Sequence, residues 1–175
     1  MNVAAARMAG EYARVICVGH SMGCLLGLNA QLEFSPFAGM ALLACPVAIR
    51  FTARYVHHNW LSPMLPGSRN PFVRAAVEAN SVRAKHPLEY LTTARPYLEL
   101  LRLIRETNEG LRRLDIPARA VYSELDEIVS PRASELLLGR AGIETVVAPG
   151  CGHDFYSPEG RDLIENIVRN MLDRE

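Results

Sequence analysis

Lysine is almost missing from this sequence. Lys85 is the only one in 175 residues, so the remaining basic side chains are arginines. The 19 basic residues are matched by 19 acidic ones, for a formal net charge of zero. Such a balance offers no long-range attraction to a polyanion, which argues against nucleic acid or an anionic membrane surface as partner. We read the arginine bias as a coding preference without functional content. Long apolar runs are also missing. Residues 37–49 form one of the longest, and they contain Gly39 and Pro46 and are too short to span a bilayer. The N-terminal residues, MNVAAARMAGEYAR, lack the basic-then-apolar order of an export signal and read as a polar-faced helix. Four cysteines (Cys17, Cys24, Cys45, Cys151) show no C-x-x-C or Cys/His ligand spacing. They are expected as packed, reduced thiols in a cytoplasmic protein, with no disulfide framework, metal or cofactor. No internal repeat or low-complexity tract is present.

What is there is a single core's worth of apolar residues: 49% hydrophobic against 22% charged, too apolar for a disordered chain. Short β-branched or apolar runs at 14–19, 37–44, 118–123 and 144–148 read as buried strands. Helical patterns at 22–32, 131–139 and 158–172 follow them. This alternation predicts an α/β fold with a mainly parallel sheet and helices on its faces. Residues 97–114 read as an amphipathic helix with Leu98, Leu101, Ile104 and Leu111 on its apolar face. Residues 47–96 break the pattern. With Pro46 just ahead, they hold six of the eleven prolines, together with Trp60 and His57, His58 and His86. We read 47–96 as an insertion over a core made of 1–46 and 97–175. The three histidines, without matching carboxylates or cysteines nearby, read as surface or turn residues.

The chemistry concentrates at three predicted strand ends. Gly19-His20-Ser21-Met22-Gly23 satisfies G-x-S-x-G between a strand and a helix. A strand that turns abruptly into a helix crowds the backbone around the serine, so both glycines are expected to be required for lack of a side chain. The turn exposes Ser21, and the Met22 N–H at the helix start is placed to bind an oxyanion. After the third strand comes the acidic loop Glu124, Asp126, Glu127; after the fourth comes a glycine-rich loop ending in His153. Open α/β sheets carry their sites at that edge.

The order Ser21, Asp126, His153, together with the GHSMG turn, resembles an α/β-hydrolase of the carboxylesterase and monoacylglycerol lipase group. The resemblance covers nearly the whole chain and makes the 47–96 insertion a cap. It implies Ser21 as nucleophile, His153 as base and Asp126 as acid. Asp126 is preferred because DEIVSP (126–131) fits the family's D-x-x-V-x-P pattern; Glu124 and Glu127 then read as solvated loop charges, with Glu127 kept as the minor alternative. Asp154 reads as a loop cap, Cys24 as helix-to-sheet packing and Met40 and Met64 as core filler. His20, Phe51, Trp60, Leu61 and Leu65 are candidate substrate contacts.

The family ordinarily has several strands before its nucleophile strand, where this sequence has only residues 1–13. The expectation is an N-terminally truncated, minimal form of the fold. The loop that donates a second oxyanion N–H has no counterpart, since no His-Gly or Gly-Gly pair occurs. Activity is therefore expected to be weak and confined to activated or short-chain esters, and the exposed nucleophile strand to pair into a homodimer. The leading expectation is a serine hydrolase of carboxylic esters with short to medium acyl chains. Thioesterase, peptidase and acyltransferase chemistry stay open. The rival reading is a weak or inactive homologue acting as an interaction module or as half of a split enzyme.

Overall fold

The computed structural model describes residues 2–49, 94–138 and 142–173. Most of the 47–96 insertion, with Phe51, His57, His58, Trp60, Leu61, Met64, Leu65, Lys85 and His86, lies outside the described residues. The elements run α1 (Asn2–Glu11), β1 (Ile16–His20), α2 (Met22–Phe34), β2 (Gly39–Leu43), α3 (Ala94–Gly110) with a terminal 3-10 turn (Leu111–Arg113), β3 (Ala118–Ser123), α4 (Arg132–Leu138), β4 (Ile143–Ala148) and α5 (Pro158–Leu172). The four strands form a parallel sheet in the order β1-β2-β3-β4.

Parallel strands are covered on both faces, and the side-chain period of two divides them accordingly. Met40 and Leu42 of β2 join Ala118, Ala120 and Tyr122 of β3 in the core under α2, α3 and α4. Ala41, Val121 and Ala148 face the other way, against Ile167 and Met171 of α5. Leu25 and Leu28 of α2 are fully buried; each such side chain contributes about 1.5–3 kcal/mol. β1 is bonded to β2 alone among the described residues, and Val18 on it is 50% exposed.

The amphipathic helix differs from its expected register. It starts at Ala94, three residues earlier, with Pro96 in the first turn, where no backbone donor is required. Its buried stripe runs through Leu100, Leu103, Ile104, Thr107 and Leu111, while Leu98 and Leu101 are exposed. At about 100° per residue, Leu111, Leu100, Thr107 and Leu103 follow Ile104 in turn to one side of it, and Leu98 falls nearly opposite the stripe they make. The register differs because a polar residue, Thr107, takes a buried position. Its hydroxyl is satisfied inside the core, donating to the Leu103 carbonyl (2.7 Å) and accepting from Asn29 Nδ2 (2.7 Å).

In-register pairing brings the C-terminal ends of the strands together. His20 lies opposite Leu43, and Ser123 opposite Ala148. The loops that follow β1, β3 and β4 therefore emerge on one edge of the sheet.

Candidate active site

Ser21 occupies the single residue between β1 and α2, with φ 50° and ψ −122°. A non-glycine residue in that sparsely populated region costs of order 1–3 kcal/mol, and here it is held from both sides. The Ser21 N–H donates to the Leu43 carbonyl (2.8 Å), and its own carbonyl accepts from the Cys24 N–H (2.9 Å). Serine is a favoured helix N-cap, yet its hydroxyl makes no capping bond to α2. It meets His153 Nε2 instead, at 3.0 Å.

The two glycines of the turn are not equivalent. A Cβ at Gly19 would lie 2.8–2.9 Å from backbone atoms of Gly23 and Cys24. A Cβ at Gly23 would meet nothing within 4 Å among the described residues. The expectation that both glycines make room for the turn holds for Gly19 and is corrected for Gly23, because the first turn of α2 folds back over position 19. Beneath it the Cys24 thiol is fully buried and contacts the Gly19 and Leu43 carbonyls at 3.1 and 3.2 Å. Burial, then the neighbouring Cys45, pushes its pKa up, so it stays a protonated packing group.

His153 is 4% exposed and Asp126 6%. The imidazole Nδ1 lies 3.2 and 3.1 Å from the two Asp126 oxygens. Asp126 Oδ1 also accepts the backbone N–H groups of Ile128 (2.9 Å) and Val129 (2.8 Å), which orient the carboxylate. With Nδ1–H donating to that carboxylate, Nε2 is left to accept from the Ser21 hydroxyl. Burial by itself would lower the His153 pKa. The hydrogen bond and charge of Asp126, assisted by Asp154 and Glu127, outweigh it and raise the pKa above 6.5.

Glu124 is exposed, as a solvated loop charge would be, whereas Glu127 is half-buried; both carboxylates also reach across to the loop after β4. Glu124 Oε2 accepts the Gly150 N–H (2.9 Å), and Glu127 Oε2 accepts the His153 N–H (3.0 Å). Glu127 thus holds the backbone of His153, while Asp126 meets its ring.

His20, half-buried, donates from Nε2 to the His153 carbonyl (3.0 Å), and the two rings lie 5.2 Å apart between centroids. Asp154 lies 3.9 Å from the same nitrogen. Tyr156, which belongs to no sequence motif, packs edge-on to His20 at 6.2 Å, and burial first of all pushes its pKa up to about 12. His20, His153 and Asp154 offer ligand atoms within 4.8 Å of one another. Donors on a tetrahedral zinc stand roughly 3.3 Å apart, and His20 Nε2 is already engaged, so the cluster does not fit a bound metal as it stands.

The loop bearing His153 is anchored at its far end as well. Ser157 caps α5 by accepting the Gly160 N–H (3.0 Å) and donates its own hydroxyl to the Pro149 carbonyl (2.9 Å). A Cβ at Gly160 would collide with Cys151 Sγ, so α5 and the loop are closely packed there.

A model of the alpha/beta hydrolase family matches residues 2–165. No curated protein matches the sequence. Among solved structures, the chain is similar to a monoacylglycerol lipase from Paleococcus ferrophilus, with a TM-score of 0.64 at 15% identity, over 98% of this chain and 73% of that one. It is similar also to a structure described with LipS and LipT, two metagenome-derived lipolytic enzymes (TM-score 0.65, 15% identity, 98% and 70% covered). A third is the esterase domain of a Rhodothermus marinus protein (TM-score 0.59, 17% identity, 96% and 65% covered). At these identities the likeness is one of fold.

Proposed function

The chain belongs to the alpha/beta hydrolase family, and from that premise we propose that it cleaves carboxylic esters through an acyl-enzyme on Ser21. The observation that carries the reading is the line from Ser21 Oγ through His153 to Asp126, with contacts of 3.0 and 3.1 Å. His153 Nε2 takes the hydroxyl proton as Oγ attacks the ester carbonyl, and the buried Asp126 stabilises the imidazolium. The Met22 N–H lies in the first turn of α2, where helix donors have no internal partner, and this reading assigns it to the developing oxyanion. Nε2 then returns the proton to the departing alkoxide, and water attacks the acyl group by the same route in reverse.

Met22, Leu125 and Phe155 flank Ser21, Asp126 and His153 in sequence, and each is more than half exposed. Exposed apolar side chains beside all three residues support short to medium acyl chains as substrate. The proposal also takes 47–96 as a cap, with Phe51, Trp60, Leu61, Leu65 and His20 touching the substrate. Labelling by a fluorophosphonate probe tests the reading. Labelling that vanishes in Ser21→Ala is expected, and a folded wild-type protein that never labels and never hydrolyses nitrophenyl esters would defeat it.

Two further parts of the proposal rest on their own observations. The outer side of β1, with Val18 half-exposed, supports a two-fold dimer built by strand pairing; light scattering at micromolar concentration reads it, and a monodisperse monomer refutes it. No described helix is long and apolar enough to cross a membrane. The four cysteines are buried and unpaired, which supports a reducing compartment, the cytoplasm.

A further inference from the structure

We propose that Glu127 is a positioning residue for the reaction read above, fixing the backbone of His153 while Asp126 fixes its ring. The proposal rests on that reading and on a contact arrangement that the Ser21–His153–Asp126 line does not itself use.

The loop carrying His153 follows β4 and turns through Gly150, whose φ is +64°. The His153 ring meets Asp126 at Nδ1 and Ser21 at Nε2, and His20 Nε2 donates to its backbone carbonyl (3.0 Å). The loop after β3 holds the other side of this segment at four points. The Glu124 N–H donates to the Ala148 carbonyl (3.1 Å), and the Leu125 N–H to the Cys151 carbonyl (2.8 Å). The other two bonds run from loop amides to carboxylates, Gly150 N–H to Glu124 and His153 N–H to Glu127. Of the four, only the bond to Glu127 acts on His153 itself. Adjacent residues of one loop therefore hold the ring and the backbone of the same histidine.

A carboxylate suits this place better than a neutral acceptor for two reasons. A hydrogen bond to an ionised acceptor is shorter and stronger than a neutral one. Its charge also acts on the imidazole, and that attraction grows as His153 becomes cationic in the transition state, which is where binding energy lowers a barrier. The charged and titratable groups facing His153 are Asp126 and Glu127 from the β3–α4 loop, His20 from the end of β1, and Asp154 and Tyr156 from its own loop. Burial opposes the imidazolium, and Asp126, Asp154 and Glu127 favour it.

Two variants separate charge from geometry. Glu127→Gln keeps an acceptor of the same shape and removes the charge; Glu127→Ala removes both. The first readout is an NMR titration of the His153 ring, which needs no turnover. In Glu127→Gln its pKa is expected to fall by roughly 0.5 unit, as for a unit charge several ångströms away across a largely water-like dielectric. The acidic limb of kcat/KM on a nitrophenyl ester should move with it while KM stays constant. Glu127→Ala should lower kcat by about tenfold with little change in KM, within the range that loss of alignment produces. A merely structural residue would lower the melting temperature of both variants while leaving the ring pKa and the kcat of folded protein unchanged, and that result overturns the inference. The outcome is distinct from failure of the ester-hydrolase reading. A wild-type protein that neither labels nor turns over, yet shows the pKa shift, keeps Glu127 as the support of His153 and removes the reaction. A wild-type protein that labels and turns over, with neither the pKa shift in Glu127→Gln nor the loss of kcat in Glu127→Ala, removes Glu127 alone.

Discussion

Alanine at the first glycine of the Ser21 turn should be far more damaging than alanine at the second. The Cβ of Gly19→Ala would sit 2.8 Å from Cys24 N, 2.9 Å from Cys24 Cα and 2.9 Å from the Gly23 carbonyl carbon. None of these is the end of a flexible side chain. All three belong to the first turn of α2, and Cys24 is pinned beneath the sheet, fully buried. Overpacking a rigid site costs about 1–3 kcal/mol, and the upper end applies where only backbone can yield. For a chain of this size each kcal/mol shifts the melting temperature by about 2–4 °C, so a fall of about 6–12 °C is expected. Relief by moving α2 would displace Ser21 from His153, so activity and fluorophosphonate labelling should drop with stability. Gly23→Ala meets open space and replaces a glycine inside a helix, which gains about 0.5–1 kcal/mol; its melting temperature should stay level or rise by a few degrees. Differential scanning calorimetry on both variants decides the matter. A Gly19→Ala protein melting within a degree or two of the wild type would refute the steric reasoning, as would a Gly23→Ala protein that loses as much stability.

Asp126→Asn should reduce ester hydrolysis on the order of 10⁴-fold and, with burial then the dominant influence, drop the His153 pKa below 6.5; unchanged turnover in the variant would show that Asp126 does not orient the imidazole. The pKa of His153 in the folded protein lies above 6.5, so kcat/KM should rise through an acidic limb centred above that value. The same shift contributes stability that is fully present below pH 6.5 and is lost as the pH rises through the folded pKa; a Ser21→Ala protein, which does not turn over, should show it in denaturant titrations, and stability rising across that window would contradict the sign. Ser21→Gly relieves a backbone held at φ 50° and should be more stable than Ser21→Ala by about 1 kcal/mol, strain relief of 1–3 kcal/mol less the greater flexibility of unfolded glycine. Equal urea midpoints for those two variants would mean that the turn is not strained.

Local features carried much of this protein into view. Apolar runs of strand length ending in glycine or in acidic loops are enough to locate four parallel strands, because a strand covered on both faces has to be apolar nearly throughout. The order of Ser21, Asp126 and His153 at three such ends is likewise a property of the chain, and parallel topology carries those ends to one edge. Distance across the sheet was not legible. Nothing local tells Gly19 from Gly23, since the difference is which of them the returning backbone of α2 approaches. Nothing local tells Asp126 from its neighbours either, except through a family pattern, because Glu124, Asp126 and Glu127 share charge and reach. Only the tertiary structure assigns them, through the β3–β4 pairing that sets the amides of Gly150 and His153 against two carboxylates and the His153 ring against the third. Thr107 made the same point in the core. A polar residue on a helix reads as a surface position until folding supplies Asn29 and the Leu103 carbonyl as its partners, for a buried hydroxyl is costly only when its hydrogen bonds are left unmade.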